Sequence, residues 1–248
     1  MSRFGVFLLC LLASAVARSA ELTVLSGGAI EPGLHSAASA FEKQSGHHVK
    51  ITFNTTPQIQ KRVSGGERFD VVIAPPQAIE GFAKEGKLEA ERVTVGRVGL
   101  GVAIRPDAPP PDIKTVEGLK RSIIDSDSIV FNRASTGIYF ENLLKKWGIY
   151  DQVEPKTTRY ADGASVMEHA LKGKGREIAF GAITEILLYK EKGLRFVGPI
   201  PAEVQNYTVY AVGLSTGAKE AEAAKAFIKV LTGPSAAGVL KATGMEGA

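Results

Sequence analysis

The sequence predicts an α/β protein with mostly parallel sheets, folded as two lobes joined by two hinge crossings. Three observations predict it. From Leu22 onward, short apolar runs alternate with segments whose apolar residues recur at helical spacing, the pattern of βα units. Several runs end in glycine, serine, threonine or proline just where a helix begins, as strand-to-helix corners require. A proline-dense stretch, Pro106 to Asp112, breaks the alternation midway, and an apolar run from Tyr207 to Gly213 returns late. The expected boundaries are residues 1–17 as a leader, 18–103 with 207–248 as the first lobe, and 104–206 as the second.

The leader reads as an export signal. Arg3 supplies its positive start, Phe4 to Leu12 its apolar run, and Ala15-Val16-Ala17 a small-x-small cleavage site. That run is shorter than the roughly 20 residues that span a bilayer. Cys10 is the only cysteine and leaves with the leader, so neither disulfides nor thiol chemistry are expected. The mature chain of about 230 residues is long enough to bury a sizeable core without them.

Four corners follow in order. The strand Leu22–Ser26 ends in Ser26-Gly27-Gly28-Ala29, and a helix opens at Glu31-Pro32 and runs to about Gln44. The strand Val49–Asn54 leads to Asn54-Thr55-Thr56-Pro57, with Thr56 as the expected N-cap. Phe69–Ala74 is an apolar run suited to a buried strand, followed by a helix after Pro75-Pro76. A long strand spans Arg97–Arg105. In the second lobe, Ser128–Phe131 ends in Asn132-Arg133-Ala134-Ser135-Thr136-Gly137 before a helix carrying Tyr139, Leu143 and Trp147. The fourth corner joins Lys156–Tyr160 to a helix capped by Asp162, with Gly163 in its first turn. Then come a strand at Glu177–Gly181, a helix from Ile183 to Glu191, a strand at Leu194–Val197, the return strand and two closing helices.

A helix N-terminus presents unpaired N–H groups at the positive end of the helix dipole, so each corner can hold an anion without a cationic side chain. In open α/β sheets the strand ends face one crevice, where four corners converge. Hydrogen bonds to a charged group contribute about 1.5–3 kcal/mol each, so several of them offset the desolvation of a small anion. Arg133 adds a potential bidentate grip on a carboxylate.

Other chemistries find no support. The net charge of +4 is small, and the densest basic cluster, Lys172-Gly-Lys-Gly-Arg176, lies in a turn without base-stacking aromatics, so nucleic acid is not expected. His35, His47, His48 and His169 are scattered, which suggests no metal site. There is no Gly-x-Ser-x-Gly elbow for a nucleophile. Gly96, Gly99 and Gly101 lie inside a strand, not at its end, which argues against a dinucleotide loop. No catalytic residue and no cofactor are assigned.

The segments Leu22–Ile30, Val49–Val63, Phe69–Ala74, Ser135 to Gly148, Asn206–Val209 and Gly233–Ala237 together resemble the periplasmic solute-binding proteins of ABC transporters, particularly the molybdate-binding group. The resemblance covers nearly the whole mature chain. It implies a two-lobe periplasmic-binding-protein fold that closes on an anion, a periplasmic location, a membrane permease as partner and a monomeric state. That group offers a hydroxyl where this chain has Ala29, and a tyrosine from the strand that here carries Phe180. Thr56 and the amides near Thr136 and Gly163 match by position. Two donors are therefore replaced and Arg133 is added, which shifts the expected ligand toward a small organic carboxylate, with molybdate or tungstate as an alternative.

The Ser26–Ile30 corner and Ala103–Ile113 are also similar to the bacterial aconitate isomerases. An isomerase of a small polycarboxylate needs a base beside a carboxylate and donors for developing charge. Asp162, Glu185 and His169 are within reach of the crevice, although each also reads as a structural feature: a helix cap, an exposed helix face and a solvated side chain. A sensor that presents its ligand to a signalling partner would have the same sequence.

Overall fold

Nine strands form one mixed sheet among the described residues, 19–247 of a computed structural model. The export segment at 1–17 lies outside them. The early elements are β1 (Glu21–Gly27), α1 (Glu31–Ser45), β2 (His48–Asn54), α2 (Thr56–Ser64), β3 (Val71–Ala74) and α3 (Pro76–Lys84). β4 (Leu88–Ile104) follows, then α4 (Val116–Asp125), β5 (Ser128–Asn132), α5 (Ser135–Lys146), the short α6 (Tyr150–Val153) and β6 (Thr157–Tyr160). The last are α7 (Gly163–Lys172), β7 (Glu177–Ala182), α8 (Ile183–Leu188), β8 (Arg195–Pro199), β9 (Tyr207–Ser215), α9 (Ala221–Leu231) and α10 (Pro234–Ala242).

The spatial order is β2-β1-β3-β9-β4-β7-β5-β6, with β8 also paired to β4. Parallel pairing builds the two outer thirds, β2-β1-β3 and β6-β5-β7. Between them β4 and β9 run antiparallel. β4 pairs with β9 as far as Gly99, then with β7 and β8 from Leu100 and Gly101 onward. One strand thus belongs to both halves. Gln205 braces this passage, its side chain accepting from the Leu100 amide at 2.8 Å and donating to the Leu100 carbonyl at 3.0 Å. Gly96 has φ 158°, and a Cβ there would lie 2.7 Å from the Glu246 carbonyl oxygen, so only glycine lets the C-terminal bridge to Arg97 form.

Local rules account for the helices. Pro32 opens α1, and Gly46, at φ 73°, closes it by donating to the Glu42 carbonyl. Leu34, Ala37, Ala38 and Phe41 then bury one face of α1 against β1 and α9. All four residues of β3 are buried, as expected of a strand covered on both faces. Phe131, Phe140 and Phe180 make the centre of the other half. β4 begins well before the expected Arg97, because its polar early part (Glu89, Glu91, Arg92) faces solvent while it pairs with β9. Helix α4 is an addition to the sequence reading. Thr115 caps it by accepting from the Gly118 amide, and Leu119 and Ile123 are its buried face.

Candidate functional site

A pocket of about 300 Å³ opens where the carboxyl ends of β1, β2 and β5 meet the helices that follow them. Four backbone corners reach it. The first is the turn Gly28–Ala29, running through a single 3-10 turn into α1. Gly27 lies beside it and must be glycine, since a Cβ would stand 2.6 Å from the Tyr210 ring. The second is the start of α2. Its N-cap is Thr55, not the expected Thr56, because the Thr55 amide donates to Gln58 Oε1 at 2.8 Å in a capping box one residue earlier. Thr56 is freed from capping, and its hydroxyl comes within 3.4 Å of that of Ser135 across the pocket.

The third corner opens α5. Asn132 Oδ1 accepts from the Ala134 and Gly137 amides at 3.1 and 3.2 Å, organising the turn and leaving the first-turn amides of Ser135 and Thr136 without partners by position. Gly137 is buried below, where a Cβ would lie 1.9 Å from the Asn132 carbonyl oxygen. The fourth corner is α7, capped as expected by Asp162, which accepts from the Ser165 amide at 2.8 Å. Gly163 and Ala164 line the pocket at its first turn.

The structure thus brings together Gly27, Gly28, Ala29, Asn54, Thr55, Thr56, Ser135, Thr136 and Gly163 of the residues singled out by sequence. Four others lie outside the lining. Ser26 is fully buried in β1 between its register partners Phe53 and Ile73. Gly137 sits beneath the third corner. Phe180 turns into the core, stacked on Phe140 with ring centroids 3.8 Å apart. Arg133 is exposed, its backbone amide spent on the Tyr160 carbonyl, and it does not reach the lining.

Among the described residues no lysine, arginine or histidine lines this pocket, whereas three carboxyls do: Glu31, Asp162 and Glu185. Glu31 is partly solvated and stands 3.8 Å from His35. Glu185 is different. The sequence reading placed it on an exposed helix face, but α8 is covered by α1 on one side and α7 on the other. Its Oε2 is sealed from solvent with no hydrogen-bond partner among the described residues. The carboxyl occupies the space a side chain at position 163 would need, with Oε2 2.1 Å from where a Gly163 Cβ would be built. Burial pushes its pKa up, the Ala182 amide pulls the other way, and Asp162 and Glu31 add to the rise, leaving it at about 7. Tyr210 also lines the pocket, and burial followed by the nearby Glu185 raises its phenol far above the usual range. His169 is not in the lining; its Nδ1 lies 2.9 Å from the Tyr160 hydroxyl.

Sequence reasoning did not assign Asn132 or Tyr210 to the site, and it set Glu185 within reach of the crevice without reading its burial. Gly163 was the available signal for Glu185: a glycine in the first turn of a helix, where no left-handed turn requires it, marks close approach by another group.

Over residues 22–246 the sequence matches the family described as bacterial extracellular solute-binding protein, and the chain belongs to that family. It is 27% identical over 231 residues to the aconitate isomerase of a Pseudomonas species, covering 91% of this chain and 87% of the relative. It is 24% identical over 238 residues to the molybdate-binding protein ModA of Escherichia coli, covering 93% and 91%. The periplasmic molybdate-binding protein of Azotobacter vinelandii superposes with a TM-score of 0.76 at 18% identity, covering 90% of this chain and 98% of that one. The two-lobe fold expected from sequence is thereby the fold found. No helix among the described residues is long and apolar enough to cross a membrane.

Proposed function

We propose that the protein is exported to the periplasm, captures a small organic carboxylate between the two halves of its sheet, and hands it to the membrane permease of an ABC transporter. In this reading residues 1–17 are the signal peptide, 18–103 with 207–248 close as one lobe, and 104–206 as the other. The observation that carries it is the convergence of α2, α5, α7 and the Gly28–Ala29 turn on one pocket whose lining, among the described residues, holds no cationic side chain. The first-turn amides of Thr56, Ser135, Thr136, Gly163 and Ala164 are the proposed donors, with the hydroxyls of Thr56 and Ser135 beside them. Each such bond to a charged oxygen contributes about 1.5–3 kcal/mol. The pocket matches the lower end of small-molecule sites, roughly 300 Å³ and above, and a tetrahedral oxyanion would fill a small part of it.

Thermal shift and calorimetry against molybdate, tungstate, sulfate, phosphate and mono-, di- and tricarboxylates test the assignment. A carboxylate is expected to raise the melting temperature most. Tight molybdate binding with no response to carboxylates would move the assignment to the oxyanion reading, for which Tyr210 supplies a phenol that Phe180 does not. No response to any anion would remove the proposed site.

Glu185 favours a second reading, the isomerisation of a small polycarboxylate. A carboxyl with a pKa of about 7 is present in both protonation states near neutrality, as a group that removes and returns a proton must be. The same amides would then stabilise the charge that develops on the substrate carboxylate. Proton NMR of trans-aconitate incubated with the protein is expected to show the cis isomer accumulating; an unchanged spectrum at high protein concentration rejects this activity.

A further inference from the structure

We propose that Glu185 is the proton-carrying donor of the pocket: its carboxyl holds a hydrogen that it gives, from the Oε1 side, in a hydrogen bond to an oxygen of the bound anion. Ligand capture then takes up a proton, and the pocket selects anions that present a bare acceptor at this point. The inference rests on the anion reading above and deepens it by adding a selectivity element that helix N-termini alone do not supply.

The geometry points to this role in three ways. Oε2 is sealed from solvent and has no partner among the described residues, so nothing there stabilises a charge, while the carboxyl meets the pocket through Oε1, 3.8 Å from where a Cβ of the lining residue Gly28 would be built. An unpartnered buried carboxyl is costly in its charged form, and a bound anion beside it would make that form costlier still. The position is also built and not incidental, because Gly163 at the first turn of α7 leaves the volume the carboxyl fills. A plain capping role, through the Ala182 amide at the start of α8, calls for a charged carboxylate and does not account for an Oε2 left without a partner.

The titratable groups around it favour the neutral acid. Asp162 faces it from the start of α7, Glu31 from α1, and Tyr210 and Tyr189 from β9 and the turn after α8. The two nearby histidines are engaged elsewhere: His35 lies beside Glu31, and His169 is turned to Tyr160. Among the described residues no cation of the lining offsets these carboxylates. Without ligand the carboxyl is about half ionised near neutral pH. With an anion bound it is held protonated, and the proton it needs comes from solvent.

Two measurements on the full mature chain test the proposal. Infrared difference spectra of the wild type against Glu185→Gln, without ligand at about pH 6, should show the carbonyl stretch of one protonated carboxylic acid; no such band overturns it. Calorimetry with malonate, succinate and molybdate, each fully ionised, is then run at about pH 8 in two buffers of different ionisation enthalpy. The wild type should take up close to one proton per ligand and lose about tenfold in affinity per pH unit above 7, while Glu185→Gln, whose amide still donates, should bind without either effect. Binding with no proton uptake overturns the role of Glu185 and leaves the anion reading standing. A carboxylic-acid band in a protein that binds none of the three probes leaves the protonated side chain standing and overturns both the anion reading and the selectivity drawn from it.

Discussion

Asp70, which is buried, and Glu185, which is partly buried with one oxygen sealed, each lie near the end of an element, one in each half of the sheet, and they carry opposite charge behaviour. Asp70 precedes β3 and collects donors. The Thr23 amide and hydroxyl reach Oδ2 at 2.8 and 2.7 Å, and the Lys219 amide reaches Oδ1 at 2.7 Å. Burial pushes its pKa up, yet these bonds outweigh it and hold the group below the usual carboxylate range. Glu185 has the Ala182 amide alone against burial and two neighbouring carboxylates, and its pKa rises to about 7. The difference teaches that burial pushes an interior carboxyl toward its neutral form and that the donors it collects decide whether it stays charged. Asp70 is a tie between β1, β3 and the segment leading into α9. Glu185 is an unsatisfied group facing a pocket.

One test of this contrast removes the tie. Asp70→Ala leaves the Thr23 amide and hydroxyl and the Lys219 amide without this acceptor, and since these bonds are only part-buried the expected loss is about 2 kcal/mol in urea unfolding. Asp70 stabilises the fold fully above its unfolded pKa of 3.8, and that contribution disappears as pH falls through the lower folded value. A loss of less than about 1 kcal/mol would mean that the three bonds do not hold the carboxylate.

Glu185 has the opposite sign. Between its unfolded value of 4.5 and its folded value of about 7, the folded protein holds a proton that the unfolded chain has released. Its favourable term is therefore complete below 4.5 and lost as pH rises through about 7, a fall of about 3 kcal/mol. Glu185→Gln should abolish that fall, so that the variant is the more stable protein by about 3 kcal/mol at about pH 8 and gains little at about pH 5. Parallel stability–pH curves for the two proteins would show that Glu185 is ionised in the fold like an ordinary surface glutamate.

How much of this was legible in the sequence depended on whether the deciding contact was local. The alternation of Leu22–Ser26, Val49–Asn54 and Ser128–Phe131 with periodic helical segments gave the βα order, and the corners gave nine residues of the pocket lining. Asp162 capped α7 as its spacing required. Thr55 and Thr56 were confused because both are good caps and only Gln58 chooses between them. The early part of β4 was missed because its polar residues show the edge-like pattern of a solvated loop, and the pairing partner β9 lies more than a hundred residues away in sequence. The burial of the Glu185 carboxyl was unreadable for the same reason. Six residues of α8 define no buried face by themselves, and what covers them arrives from α1 and α7.

A smaller effect is expected where the two halves touch the pocket through a missing side chain. Gly163→Ala places a methyl group against the Glu185 carboxyl, at 2.1 Å before relaxation, so the carboxyl must swing into the pocket. Overpacking of this kind costs about 1–3 kcal/mol, and ligand affinity should fall with it. In Gly163→Ala combined with Glu185→Ala, the second substitution removes the obstacle and should recover most of the stability. Additive losses in the double variant would show that Gly163 serves the backbone of α7 and not the carboxyl.

Arg133→Ala is the smallest expected effect and separates the sequence reading from the geometry. As the one cationic side chain among the residues of the corners, Arg133 was expected to grip a carboxylate, which would make its loss costly. It is instead exposed, beyond the lining, and tied to the rest only by the bond from its backbone amide to Tyr160, which alanine keeps. Surface charges at such a distance contribute little and are screened by salt. Affinity for the best-bound carboxylate should stay within about twofold, with no change in its salt dependence. A tenfold loss would mean that closure of the two halves carries Arg133 into the site, and that the pocket as it stands is its open form.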